Sequence, residues 1–422
     1  MSRPGFVLEV DDKTPSLLTM AGADLRLQRL GLGTKVVYPA DAVPSTDPVG
    51  LVDAALAAPI GAEPLATQLK PETRLTIVVV DSDLPLPRPE FEVRRTLVER
   101  VLETAARAGV DDVELVIATG LKQRWNAGQV TEILGDRVAT SFLPDGLVSS
   151  HDVTDSGLVT IGEVDGAPVK FNRRVASSDL VVVVSARADA GEQCPFAAGL
   201  ADVETLNRLS GVGHTDEYRA AVERLVREKI PTFAVVAVLG QPLLGRSLRF
   251  ASRREWEWNL ADKLSLASAR QIVAALPRQG AQILHGNPRA DYAVVDVLGG
   301  DYPRVLADSR LVWRAANAVE AKGRADVLVT SVWGASFDEG DPVGSPLGAA
   351  HHALATRAGA HLGTPFTRPG GALIAFHPLR RRFSNRRQSA AADFFATVLP
   401  QTTDPAEIAA TFESRAIADE WY

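Results

Sequence analysis

Short runs of β-branched and other apolar residues alternate along the chain with longer stretches rich in Ala, Leu and Arg. This is the pattern of a largely parallel sheet covered by helices. Leu75–Val80, Asp112–Ala118, Leu180–Ser185, Thr232–Leu239, Tyr292–Val297, Val327–Ser331 and Ala372–Phe376 read as strands. Their unbroken apolar character implies burial on both faces, as in doubly wound sheets. Between them, Phe91–Ala108, Ala127–Leu134, Thr215–Glu228, Leu266–Ala275, Tyr302–Lys322 and Gly348–Ala358 carry helical periodicity, the last preceded by the turn formers Asp341-Pro-Val-Gly-Ser345-Pro. Texture breaks most strongly through Arg246–Gly286, where an Arg/Trp-rich patch gives way to a helical stretch and then a Gly/Gln-rich one. A domain division is expected at its end, giving residues 1–285 and 286–422. The chain shows no internal repeat or low-complexity tail.

Composition narrows the function classes. With 422 residues the chain is long enough for two or three domains with sizeable cores. The 45 basic against 52 acidic side chains give a net charge of −7, which argues against a protein built to grip nucleic acid or an anionic membrane. No apolar run approaches the roughly 20 residues of a membrane helix. The start of the chain lacks a charged-then-apolar signal pattern, so a cytoplasmic location is expected. The single cysteine, Cys194, excludes a disulfide framework and any Cys-rich zinc or iron–sulfur centre. The dense basic block Arg380–Arg387 reads as a solvated loop.

No Gly-x-Gly-x-x-Gly, Walker A, His-Glu-x-x-His or Gly-x-Ser-x-Gly pattern is present, which removes the commonest dehydrogenase, P-loop, zincin and α/β-hydrolase readings. Chemistry-bearing residues gather instead where strands end, the place at which open α/β sheets bind ligands. Asp81-Ser-Asp-Leu-Pro-Leu-Pro follows the first strand and puts two carboxylates at its exit; it reads equally as a proline-stiffened turn. Ala118-Thr-Gly-Leu-Lys122-Gln123-Arg124 follows the second, with Gly120 permitting close backbone approach and three donors suited to an anion. Ser150-His151-Asp152 offers an imidazole for acid–base work beside a carboxylate that can orient it, or a hydrogen-bonded structural histidine. A Gly/Ala-rich loop, Ala186 to Ala201, follows the third strand and suits a phosphate-bearing ligand or a plain connection. Further on, the strand that follows Arg368-Pro-Gly-Gly ends on His377.

In this order the clusters resemble the nickel-pincer lactate racemase family. The Asp81 loop looks like that family's Asp-x-Thr-Arg-Pro-x-Pro, Ala118-Thr-Gly its Ala-Thr-Gly-x-His-Arg, and His151-Asp152 its Asn-His-Asp element. Ala167-Pro-Val-Lys170-Phe-Asn-Arg173 resembles its Gly-x-Pro-Val-x-Val-Asn strand, and Gly199-Leu-Ala-Asp-Val-Glu-Thr205 its Pro-Gly-Leu-Ala-x-x-Glu-Thr. Arg324-Ala-Asp-Val-Leu-Val-Thr-Ser and Arg368-Pro-Gly-Gly extend the similarity into the C-terminal part, so that it spans about Leu75 to Phe395.

The resemblance implies an α/β fold of two α/β domains, each with a largely parallel sheet flanked by helices, and an active-site cleft between them. It implies an isomerase, a racemase or epimerase of a 2-hydroxy acid. A nickel-pincer nucleotide would take up the substrate's hydride while a histidine removes the hydroxyl proton. Carried over residue by residue, it implies His151 and Lys122 as catalytic groups, and Asp81, Gln123 and Arg124 as substrate-binding ones. It places Arg173, Lys170, Gly191 and Gly199 at the cofactor and Asp189 at the metal. The implied partner is a small anionic substrate, with neither nucleic acid nor membrane involved.

The sequence also departs from the family. Lys122 stands where a second catalytic histidine is expected, Asp189 where the nickel-ligating histidine is expected, and Arg173 where the lysine bonded to the cofactor is expected. Leu84 replaces an arginine, and Gly191-Glu-Gln-Cys-Pro replaces a Ser-Gly-Gly-x-Lys phosphate loop. Asp189 is an oxygen donor and suits nickel less well than imidazole. Two further readings therefore stand beside the isomerase: a family member without racemase activity that binds a nucleotide or organic anion, and a different enzyme on the same scaffold using His151 and Asp152.

Overall fold

The computed structural model describes residues 3–21, 24–81, 89–122, 124–188, 195–210, 216–275, 290–332, 346–360, 363–377, 383 and 389–417. Among the described residues the chain forms fourteen strands. β1 (Phe6–Glu9), β2 (Leu17–Ala21), β3 (Asp24–Gln28) and β4 (Lys35–Tyr38) precede the main sheet. β5 (Leu75–Val80), β6 (Val113–Ala118), β7 (Val148–Ser150), β8 (Val159–Val164), β9 (Ala167–Phe171), β10 (Leu180–Arg187), β11 (Thr232–Leu243) and β12 (Asp291–Asp301) form the middle of the chain. β13 (Ala325–Ser331) and β14 (Thr367–Phe376) follow.

Six strands make one sheet in the order β12-β11-β10-β5-β6-β7. All its pairings are parallel except the edge pair β11–β12. The fold is thus mixed α/β with a largely parallel sheet. Successive residues of β5 face opposite ways, and both ways are core. Leu75, Ile77 and Val79 pack on one side under the helices Pro48–Ala57, Val93–Arg107 and Ala127–Phe142. Val78 and Val80 pack on the other with Phe196, Leu200, Val222, Val226, Tyr302 and Val305. Two helical layers therefore sandwich the sheet, which explains why its strands read as continuous apolar runs.

The edge strand β12 is held by close backbone approach. A Cβ on Gly299 would lie 2.4 Å from the Ala55 carbonyl oxygen, and one on Gly300 2.2 Å from that of Ile60. The Ile60 and Asp301 amides in turn donate to Gly299 and Ile60 carbonyls at 2.7 and 2.9 Å. β12 and the helix Tyr302–Asn317 thus lie on the first sheet, although they fall beyond residue 285. Further along, β13 and β14 pair in parallel over a small cluster of Val332, Ala349 and Ala353.

The expected strands all form, with β11, β12 and β14 longer than their apolar runs. The hairpin β8–β9 escaped the sequence reading although it carries its signal: Asp165 and Gly166, at φ 51° and 71°, make the tight turn that an Asp-Gly pair favours. The helix from Ala127 runs on to Phe142 through Gly135, whose φ of 86° breaks the apolar periodicity there. Among the described residues no helix is long and apolar enough to cross a membrane.

One buried ion pair anchors the exit of β5. Arg94 and Glu92 are both buried, and the guanidinium donates to both Glu92 oxygens and to the Val80 carbonyl at 2.7 Å. It also lies over the Trp125 ring, 5.7 Å from the centroid. Breaking such a pair from one side leaves an uncompensated buried charge. Glu92→Ala is expected to lower unfolding stability by about 3–5 kcal/mol, measured by urea titration, and Arg107→Ala at the exposed end of the same helix to change it by less than about 0.5 kcal/mol.

Candidate functional site

The loops leaving β5, β6 and β7 come together because these strands are adjacent and parallel. Thr119 Oγ1 donates to the His151 carbonyl at 3.0 Å, and the His151 amide to the Ile117 carbonyl at 2.9 Å. Lys122 reaches back from the β6 exit, its Nζ donating to the Asp81 carbonyl oxygen at 2.9 Å. Lys122, Asp81 and His151, named from different sequence clusters, thus belong to one set of strand exits.

A second segment is sewn across these exits. The helix Pro195–Leu200 presses Gly199 against Ala118, where an added Cβ would lie 2.5 Å from the Ala118 Cβ. Gly120, at φ 57°, donates its amide to the Gly199 carbonyl at 3.0 Å, and a Cβ on it would lie 2.7 Å from the Ala198 oxygen. Neither position tolerates a side chain. Beyond the helix, the Asn172 amide donates to Leu200 O and the Asp202 amide to Lys170 O, joining the segment to β9. Gly199 therefore acts by its lack of a side chain, and Lys170 lends its carbonyl while its side chain stays exposed.

This stitching places the Ala201 carbonyl against His151. The imidazole is 1% exposed, and its Nε2 lies 2.9 Å from Ala201 O. A carbonyl only accepts, so Nε2 carries the proton and Nδ1 presents its lone pair. Nδ1 is buried with no hydrogen-bond partner among the described residues. Burial pushes the imidazole below its ordinary value of 6.5, outweighing the Ala201 bond and the negative charges of Asp152, Asp155 and Asp202, which all pull upward. The ring is thus neutral at pH 7, with a bare acceptor. The Thr205 hydroxyl, one turn beyond Ala201, is also buried without a partner among the described residues, and Asp202 is buried beside it. Asp202 and Thr205 lie within the Gly199–Thr205 motif, where the sequence alone points to no role for either.

The other candidates are placed as follows. Arg124 is exposed and pairs with Asp152 at 2.8 Å. Hydrogen bonds from Thr154 hold the Asp152 carboxyl below its usual range against a raising effect of burial. Asp152 therefore does not orient the His151 ring through Nδ1, which has no partner among the described residues. Arg173 is exposed and donates its Nε to the Gly157 carbonyl at 2.9 Å. Gln123, Asp189 and Gly191 lie outside the described residues. His377, after β14, is half-buried, and burial lowers its pKa.

The family's nickel nucleotide implies an amine that anchors it and an imidazole that ligates its metal. The described residues offer no amine at the position the resemblance gives to it, so such a nucleotide would be held there without a covalent bond to the chain. Arg173, which the resemblance puts at the amine's position, is exposed and donates to the Gly157 carbonyl; among the described residues, which leave out Asp189, no three His, Cys, Asp or Glu side chains gather as a metal-holding group. The chemistry this chain itself offers is that of His151 and its neighbours.

Comparison with known proteins agrees with the sequence resemblance. Residues 29–186 match the lactate racemase N-terminal domain family. The lactate racemase apoprotein from Thermoanaerobacterium thermosaccharolyticum is similar in fold, with a TM-score of 0.55 at 14% identity over 96% of this chain and 84% of that one. A protein from Thermotoga maritima aligns over 72% of this chain and 66% of its own at 12% identity, with a TM-score of 0.41. No curated protein matches. Residues 29–186 are thus similar to the lactate racemase N-terminal domain, and the chain as a whole is similar in fold to a lactate racemase.

Proposed function

We propose that the chain is a lactate racemase-like isomerase that binds a small 2-hydroxy acid at the exits of β5, β6 and β7, with His151 accepting the hydroxyl proton. The observation that carries this reading is the buried Nδ1, without a partner among the described residues, of a neutral imidazole whose other nitrogen is fixed by the Ala201 carbonyl. A general base needs an acceptor in the right protonation state at working pH, and a lowered imidazole pKa keeps it so. Lys122, with its ammonium on the Asp81 carbonyl, supplies positive charge for the substrate carboxylate and serves as a holder rather than a second base. Side chains accept protons and not hydrides, so these residues would account for the proton transfer and for orientation of the acid, and interconversion would further require a bound nucleotide cofactor able to take the C2 hydride and return it.

A second reading, binding without turnover, is favoured by one observation. Lys122, Arg124 and Arg173 are each engaged by the protein's own oxygens, as in a site whose cations hold the loops together. The two readings separate on one pair of measurements. Purified chain, expressed with and without the enzymes that build a nickel nucleotide, is titrated with D- and L-lactate and longer 2-hydroxy acids. Binding is followed calorimetrically and configuration by chiral chromatography. The isomerase reading expects binding together with interconversion in the co-expressed protein, and a loss of 100-fold or more in rate in His151→Gln, in keeping with the 10²–10⁴-fold worth of a general base. Binding with no interconversion gives the second reading, and no binding of any hydroxy acid removes both.

The same histidine sets a pH dependence. Its folded pKa is depressed, so the unfolded chain takes up the proton first as pH falls. The stability that it contributes is present above the ordinary value of 6.5 and is lost as pH drops towards the lower folded value. The stability difference between the native chain and His151→Gln should therefore shrink from pH 7.5 to pH 5 in thermal unfolding. A difference that grows as pH falls would contradict the neutral buried ring.

A further inference from the structure

The helices Asp216–Lys229 and Tyr302–Asn317 lie on the same face of the sheet as Val78 and Val80, and a groove with a cavity volume of about 500 Å³ runs between them. Its walls come from matching helical stripes. Ala220, Glu223, Arg224 and Arg227 recur at i, i+3, i+4 and i+7 on one helix, and Pro303, Leu306, Ala307 and Arg310 do so on the other. The first helix ends where β11 begins, and the second starts where β12 ends beside Phe233, so the two run antiparallel. Arg227 and Arg310 thus stand towards opposite ends of a groove roughly 10 Å long, from seven residues at about 1.5 Å each. Arg187, at the end of β10, is pinned in the groove by its Nε bond to the buried Ser309 hydroxyl at 2.9 Å.

The groove therefore collects four guanidiniums against one carboxylate, Glu223, in a chain whose net charge is −7. Its floor is apolar, with Phe196, Val226, Tyr302 and Leu306, and the Thr232 residue lines one end. Arginine forks match phosphate oxygens two at a time, and several of them converging on one groove raise the local concentration of anions. The volume lies in the range of small-molecule sites. None of these residues belongs to the strand-exit site, whose candidates follow β5, β6 and β7.

The geometry points to a second ligand site in this groove, for an organic diphosphate: a diphosphate held by Arg187, Arg224, Arg227 and Arg310, with its organic part over the apolar floor. The site stands independently of the 2-hydroxy acid reading. Arg224 and Arg227 are exposed, so reversing both leaves the fold in place. The test titrates the full chain with adenosine diphosphate and with inorganic pyrophosphate at fixed ionic strength, with sodium chloride as the control. The expected result is binding of adenosine diphosphate that weakens at least tenfold in Arg224→Glu/Arg227→Glu, while thermal unfolding and the response to 2-hydroxy acids stay as in the native chain. Binding of pyrophosphate with equal affinity and the same loss would assign the groove to the diphosphate group alone. No binding of either compound beyond the chloride control overturns the site, and so does binding that survives the double substitution. His151→Gln supplies a further check: diphosphate binding lost in that variant would locate the ligand at the strand exits and overturn the groove.

Discussion

The strand-exit site rests on one backbone contact, Gly120 against Gly199. Two chain segments some eighty positions apart meet with no side chain between them, and the Gly120 amide closes on the Gly199 carbonyl at 3.0 Å. The placement of the Ala201 carbonyl against His151 follows from it. The contact seats the helix Pro195–Leu200 over the end of β6, and the seated helix delivers the Ala201 carbonyl to Nε2. That carbonyl then decides which nitrogen bears the proton. Packing thereby becomes acid–base chemistry through a single hydrogen bond, and buried backbone acceptors need such donors in any case.

The handling of charge divides the molecule into two kinds of region. Around the sheet ends, cations are satisfied by the protein itself. Arg94 is wrapped by Glu92 and the Val80 carbonyl, Arg174 reaches Asp112, Glu114, Thr76 and the Leu75 carbonyl, and Lys122 sits on Asp81. These groups fix loops and strand ends. The lining of the groove between the helices Asp216–Lys229 and Tyr302–Asn317 carries four arginines and one acid, and there too Arg187 is held by the protein, through the Ser309 hydroxyl.

Much of the fold was legible in the sequence because buried parallel strands announce themselves as unbroken apolar runs. Leu75–Val80 is the clearest case, with both faces in core. The N-terminal hairpins β1–β4 were not legible: their strands are short and half-exposed, and their stability comes from partners far along the chain, such as Glu255, which accepts from the Leu18 amide and the Tyr38 hydroxyl. Within the site, His151, Lys122 and Asp81 were found from their place after strands, since adjacency of parallel strands converts order along the chain into proximity. What sequence could not supply was the direction of each polar group. Asp152 looked like the partner of His151, yet it turns to Arg124 and Thr154, and a backbone carbonyl takes its place. The groove arginines stayed invisible for a related reason, because each helix carries only half of the stripe.

His151 is a neutral imidazole at pH 7, protonated on Nε2, with Nδ1 unpartnered among the described residues. Nuclear magnetic resonance of chain labelled with ¹⁵N histidine reads this directly, since two-bond ¹⁵N–¹H correlations distinguish the tautomers and a pH titration gives the pKa. Seven histidines keep the spectrum assignable by single substitutions. The account predicts for the His151 resonance an Nε2–H tautomer and a midpoint below 6.5. An Nδ1–H tautomer, or an imidazolium persisting to pH 7, would contradict it.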